Sequence, residues 1–239
     1  MRKNIFSTIL LICVVLLVPP VFSEENTASN DDLTVEELYL IDHLEIMIIN
    51  QQAKSPEHDV KMLAIKGIEE LINSGNVQAG DKGVHLVLSY LVEEGVERQV
   101  KRKRLLVNYF PDVRWEACRL LGLLGGENSR ETLLDILRRN NEPESAVLKE
   151  VADALGVIGS NENDEVVNAL SWAINNQSVL HPDNRFALAT IHAFRKIAQK
   201  NKTIGPKAIV ALGRITQSNY ANSVRNEALR VMRELKQYR

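Results

Sequence analysis

Cysteine, histidine clusters and aromatic residues are scarce in this 239-residue chain, and each scarcity closes a route to function. The two cysteines are Cys13 and Cys118. Cys13 lies in an apolar run that reads as a removable export signal, so Cys118 is left alone and an internal disulfide framework is excluded. With no His or acid at a telling spacing, Cys118 reads as a packed, inert thiol and not a nucleophile. The five histidines, His43, His58, His85, His181 and His192, never pair at i+4 with one another or with a cysteine, so zinc spacing is missing. No GxSxG, Walker A or GxGxxG segment occurs. The carboxylate pairs Glu36-Glu37, Glu69-Glu70 and Glu93-Glu94 are adjacent in sequence. On a helix such neighbours diverge by about 100°, so they read as solvated faces and not as acid–base pairs. No catalytic, cofactor-binding or metal residue is assigned, and no cofactor is implied.

The first 23 residues carry Arg2 and Lys3, an unbroken apolar run over 9–18, Pro19-Pro20 and then Val21-Phe22-Ser23. This is the pattern of a cleaved secretion signal, with cleavage after Ser23. The apolar run is shorter than the roughly 20 residues a membrane span needs. A lipidated N-terminus is disfavoured, because the small residue required ahead of Cys13 is missing. Glu24–Asp32 is polar and acidic and reads as a disordered tether. Removing Arg2 and Lys3 leaves 27 basic residues against 31 acidic ones, a net charge of −4. That suits an exported protein in the periplasm or outside the cell. It argues against nucleic acid and membrane surfaces as general partners, and after cleavage no integral span is expected.

What the chain has in quantity is one helix, repeated. In DVRWEACRLLGLLG (112–125) the apolar residues Val113, Ala117, Leu120, Leu121 and Leu124 recur with helical period. Asp112 stands at the expected N-cap and Gly125-Gly126 at the expected stop. The pattern returns at Val60, Val147, Phe186 and Val224, and the steps from Val113 onward are 34, 39 and 38 residues. Further helical stretches lie between them, at 130–140, 164–176 and 205–217. A capping box at Thr34 and Glu37 opens the helix that contains 38–49, which is apolar on more than one side and therefore expected to be covered by neighbours or by another chain. Gly122 and Gly156 occupy matching sites, which predicts close helix–helix approach.

The motif D-V-R-x-x-A-x-x-L-L-G-x-L-G at 112–125 resembles the second-helix consensus of HEAT/armadillo-type repeat proteins, and Asp59-Val60-Lys61 and Ser223-Val224-Arg225 keep parts of it. The resemblance covers roughly residues 57–239. It implies an all-α fold, an α-α superhelix (HEAT/ARM-like solenoid) of about five helix pairs over 33–239. The order of an exported N-terminus, a basic insertion, YFPDVRWEACRLLG and then HPDN (181–184) is similar to exported HEAT-repeat proteins of spirochaetes. By the same resemblance Arg114, Lys61 and Arg225 form a half-exposed Asp–Arg ladder with Asp112 and Asp59. The second helix of each pair lines the concave side, which places Trp115, Arg119, Lys149, Asp153, His192, Arg195, Lys196 and Arg230 near a groove. The later members of that set are mainly basic.

Between Val60 and Val113 the step is 53 residues, and the surplus maps to an insertion at 95–108. It carries Arg98, Lys101, Arg102, Lys103 and Arg104. Insertions in repeat arrays lie on one face, often the binding face. Either the insertion is a solvated arm anchored by Leu105, Leu106 and Val107, or its cations meet an acidic partner. With only Tyr109 following closely, it lacks the stacking residues of a single-strand nucleic-acid binder. Trp115 and Trp172 lie beside the apolar stripes of their helices, where they are either groove anchors or packing in a second seam. The expected function is a non-catalytic exported scaffold that binds a protein partner through the concave face and the basic insertion, using Arg98, Lys101, Arg102, Lys103, Arg104, Trp115, Arg119, Lys149, His192 and Arg195. Envelope attachment to an anionic polymer or lipid head group and a HEAT-like lyase are the alternatives. Partner identity and self-association stay open.

Overall fold

The computed structural model describes the backbone of residues 35–238 and the side chains of residues 44–238. The signal at 1–23, the tether at 24–32 and the capping box at Thr34 lie outside the described residues. The chain divides into two units, Met1–Ile41 and Asp42–Arg239, and the fold below is that of the second.

Ten α-helices are described: α1 (Val35–Ala53), α2 (His58–Ser74), α3 (Lys82–Val92), α4 (Pro111–Leu124), α5 (Gly126–Arg139), α6 (Ser145–Ile158), α7 (Glu165–Asn175), α8 (Asn184–Asn201), α9 (Pro206–Gln217) and α10 (Asn222–Glu234). Helices α2, α4, α6, α8 and α10 pack side by side as one layer, and α3, α5, α7 and α9 form a second layer against it. The fold is an all-α superhelical stack of helix pairs.

The stripe read from the sequence is the core. Val113, Ala117, Leu120, Leu121 and Leu124 are buried, as are Val147, Val151 and Leu155, then Phe186, Phe194 and Ile197, then Val224, Ala228 and Val231. No pair buries its own stripe, so each helix of the first layer covers the next. Contact is closest where the side chain is absent: a Cβ on Gly122 would lie 2.8 Å from the Cα of Ala154, and one on Gly156 would lie 2.9 Å from the Cα of Ala193. Glycine at these two sites sets the spacing of α4, α6 and α8.

Helix ends follow local chemistry. Asp183 accepts hydrogen bonds from the N–H groups of Arg185 and Phe186 at 2.9 and 3.1 Å, so the HPDN segment is the N-cap of α8. Asp112 is not the cap expected of it. Pro111 starts α4 without an N–H to satisfy, Phe110 takes the cap position, and Asp112 falls in the first turn. On helix α1, Leu44, Met47 and Ile48 are each more than half exposed, so the described residues of this chain do not cover them, while Ile49 packs inward against Gly67.

The insertion is a small hairpin. Lys101–Arg102 (β1) pairs antiparallel with Leu105–Leu106 (β2), and the turn residues Lys103 and Arg104 have φ of 49° and 68°. Two central residues at positive φ give the twist a two-residue hairpin needs. Its two ends meet at a neck. Gly95, at φ 72°, lies where a Cβ would be 2.4 Å from the carbonyl oxygen of Asn108.

Candidate binding surfaces

The hairpin presents the cations that the sequence singled out. Lys101, Arg102, Lys103 and Arg104 are exposed, and none of the four has an ion-pair partner among the described residues. Arg98 differs: its Nε donates to Glu93 at 2.8 Å and its guanidinium lies 4.4 Å from the centre of the Tyr90 ring. Of the expected anchors only Leu106 is half-buried. Leu105 is 71% exposed and Val107 40%, because a two-residue strand pair held away from the stack has no apolar surface to cover. Polar groups at the neck hold the arm instead. The buried Asn108 amide donates to Glu94 Oε1 at 2.9 Å and to the Arg98 carbonyl at 2.6 Å, and its oxygen accepts from the Val100 N–H at 2.8 Å. One face of the hairpin, with Val100, Arg102 and Val107, overlooks a hollow of about 340 Å³ floored by Lys61, Tyr90 and Glu94.

Beneath the neck lies a buried ion network that corrects two expectations. Lys61 and Arg114 are fully buried, not half-exposed, and their partners are Glu94 and Glu142, not the neighbouring aspartates. Arg114 donates through Nε and Nη2 to the two oxygens of Glu142 at 2.9 and 3.0 Å, and through Nη1 to the Glu94 carbonyl at 3.0 Å. Lys61 Nζ donates to the Ala53 carbonyl at 2.7 Å and to Glu94 Oε2 at 3.1 Å. Glu94 is thus no solvated carboxylate. Both cations close the C-terminal end of the odd-numbered helix before them, where carbonyls lack partners and the helix dipole favours positive charge. Arg225, at the same repeat position in α10, is half-buried and turns to Asn222 instead.

The solvent-facing side of α2, α4, α6, α8 and α10 carries the remaining expected residues, and there each expected cation but Lys196 has an acid. Arg119 reaches Glu69 and Glu116, both at 2.7 Å. Lys149 lies 3.0 Å from Glu150 and 2.9 Å from Asp153; the Asp153 bond foremost holds its pKa above the ordinary lysine value. His192, Arg195 and Arg230 converge on Glu227 at 3.3, 3.6 and 2.5 Å. The bond from Arg230 foremost lowers the Glu227 pKa. The cations of the later part of this face are held by an acid that sequence reading did not pair with them: Glu227 reaches from α10 to His192 and Arg195 of α8. Lys196 is exposed beside them. Trp115 is partly buried against the core, whereas Trp172, on α7 in the other layer, is 43% exposed. The structure thus separates the two tryptophans.

Cys118 is fully buried, and burial pushes its thiol far above the ordinary range, which suits a packing residue. Among the described residues no group of three His, Cys, Asp or Glu is placed to hold a metal ion, and no helix is long and apolar enough to cross a membrane. Sequence reading missed Glu94, Asn108 and Glu142, whose roles depend on contacts formed across the neck and the next repeat. It also missed His58, whose Nε2 lies 2.5 Å from Asp112 and whose Nδ1 lies 3.1 Å from Asp59.

Residues 102–180, from the second half of the hairpin through α4 to α7 and the loop after it, match the family of HEAT repeats. The helix pairs on either side continue the same two layers, so HEAT-type repeats over 102–180 sit within a longer stack of the same architecture. A search of curated proteins returns no match.

Proposed function

We propose that the protein is a non-catalytic, exported scaffold that binds a protein partner through the face of α2, α4, α6, α8 and α10 together with the basic hairpin. HEAT repeats commonly serve as protein-interaction scaffolds. The observation that carries the reading is the contrast in charge. Arg119, Lys149, His192, Arg195 and Arg230 on the helical face are matched by acids, while Lys101, Arg102, Lys103 and Arg104 are held out beyond the neck with no acid to meet among the described residues. A partner that supplies carboxylates gains long-range attraction from this tip and shape from the helical face.

The test is capture of partners from an envelope extract by the purified protein and by a variant with all four tip cations changed to Glu. The expected result is a defined partner retained by the natural protein, released steeply by salt and lost from the variant. Equal capture by both would remove the hairpin and leave the helical face alone as the binding surface. Val100, Leu105 and Val107 are exposed beside the cations, which favours a second reading: attachment to an anionic lipid or polymer. Sedimentation with anionic but not zwitterionic vesicles, without any captured protein, selects it. Export is checked by N-terminal sequencing of the protein from its native source, with Glu24 the expected first residue.

A further inference from the structure

The other layer carries a feature that neither surface above uses. A hollow of about 560 Å³ opens between α5 and α7, walled by Leu137 and Ala169 and rimmed by Asn163 and Asn168. A second, of about 200 Å³, opens between α7 and α9, where Ser171, Asn175 and Val210 line it. The two share Asn168 and Trp172, so the half-exposed indole stands between them.

The polar groups here are unspent. The Ser171 hydroxyl is buried and has no hydrogen-bond partner, which is costly unless something supplies one. Neither the Asn163 nor the Asn168 side chain makes a hydrogen bond among the described residues, in contrast to Asn161. That residue donates to Asp164 at 3.0 Å and accepts from the Val167 N–H at 3.1 Å. Asn163 and Asp164 stand at φ of 49° and 60°, a left-handed pair that holds the rim open at the start of α7.

Charge does not define the larger hollow. Arg138 on the wall is taken up by Glu131 at 3.1 Å, Asp135 at 3.4 Å and Glu165. Lys207 lies exposed at the edge of the smaller hollow, and the rest of the polar lining is an aromatic ring, the amides of Asn163, Asn168 and Asn175, and a hydroxyl. Each amide offers a donor and an acceptor side by side, the complement of neighbouring hydroxyls that also do both. An indole flanked by two discrete hollows suits a chain of rigid rings stacked on it, one ring to each side. The larger hollow falls in the size range of small-molecule sites.

We propose that the α5–α7–α9 face binds a neutral oligosaccharide, stacked on Trp172, with Asn163, Asn168 and Ser171 taking its hydroxyls. This surface is separate from the hairpin, and its test does not depend on the protein-partner reading.

The test uses a Trp115→Phe background, in which Trp172 is the sole tryptophan, and titrates it with chitotetraose and with cellotetraose. A saturable change in Trp172 emission, matched by heat in calorimetry, is the expected result with at least one of them. Asn168→Ala should weaken binding about tenfold, the cost of one hydrogen bond to a neutral partner. Trp172→Ala, checked for native circular dichroism, should abolish the calorimetric signal, and Trp172→Phe should retain part of it. Silence to both saccharides in both measurements overturns the proposal, as does binding that survives Trp172→Ala. A response to an uncharged capped tetrapeptide alone overturns it too, and reassigns the face to peptide.

Discussion

The junction between α2 and α4 and the junctions from α4 to α8 lie in one layer, yet they are held by opposite means. From α4 to α8 the helices approach on apolar surface, with Gly122 against Ala154 and Gly156 against Ala193. Between α2 and α4 the chain leaves to build the hairpin, and there buried ionic groups join the contact: Lys61, Glu94, Asn108 and Arg114, the last also paired with Glu142 just ahead of α6. The difference follows from what the insertion leaves behind. The insertion leaves main-chain carbonyls at Glu94 and Arg98 near that of Ala53 at the end of α1, and a buried carbonyl without a donor is costly. Lys61, Arg114 and Asn108 supply those donors, and Glu94 and Glu142 neutralise the cations that do so. Apolar stripes suffice where the repeat is regular. Where it is interrupted, hydrogen-bonded charge takes over.

Removing one member of each kind of contact should separate them most clearly. Glu94→Ala leaves Lys61 buried without its counter-charge and frees Asn108, so it should cost about 3–5 kcal/mol. Chemical denaturation reads this directly, and a loss below that of a surface substitution would mean that water reaches Lys61. Leu121→Ala and Leu155→Ala, at the regular junctions, should each cost about 2–5 kcal/mol as buried truncations. An undiminished denaturation midpoint for either would sink the repeat register.

A smaller and more diagnostic pair probes the glycines. Gly156→Ala pushes a methyl to within 2.9 Å of the Ala193 backbone, an overpacking cost of about 1–3 kcal/mol, offset by about 1 kcal/mol of better helix propensity. Gly213→Ala in α9 meets nothing within 4 Å and keeps only the gain, so it should stabilise by about 1 kcal/mol. Thermal unfolding that moves both variants the same way would show that α6 and α8 are not spacing-limited.

The pattern of what was legible in the sequence follows the same division. The helices, their order and their buried stripe were all readable, because a 3.6-residue period is local information and Val113, Ala117 and Leu121 carry it within a few turns. The glycine contacts were readable too, from the matching sites of Gly122 and Gly156. The ionic junction was not. Asp112 lies two residues from Arg114 and looked like its partner, whereas Glu142 lies 28 residues on and becomes a neighbour only after α5 has turned back. Glu94 looked like half of a solvated pair, and nothing local distinguishes it from Glu93. The hairpin cations stood out as a charge run, but their freedom from acids is a property of the folded neck. Trp172 stood out beside its apolar stripe, as a groove anchor or second-seam packing, but Ser171 looked like an ordinary helix position, since a hollow between α5, α7 and α9 exists only once all three are stacked.

The smallest expected effect lies at the surface of the ionic junction, where His58 spans from Asp59 of its own helix to Asp112 of α4 and meets the Phe110 ring edge-on at 5.2 Å. Both ring nitrogens face carboxylates, so the imidazolium, with two N–H donors, is the form that satisfies both. The bonds to Asp59 and then Asp112 raise its pKa above the ordinary histidine value. A raised folded-state pKa gives stability that is fully present below the unfolded value, about 6.5, and is lost as pH rises through the folded value. His58 is 37% exposed and Asp112 45%, so solvent holds the contribution to about 0.2–1 kcal/mol. His85, on α3, has the opposite sign. Burial lowers its pKa, so its share of stability is present above about 6.5 and falls away as the pH drops. Stability measured from about pH 5 to 8 should therefore show His58→Gln losing most against the natural protein on the acid side, with the gap closing as pH rises. A His58→Gln curve parallel to that of the natural protein across this range would mean that the α2–α4 junction rests on its buried ions alone, with the surface clamp contributing nothing.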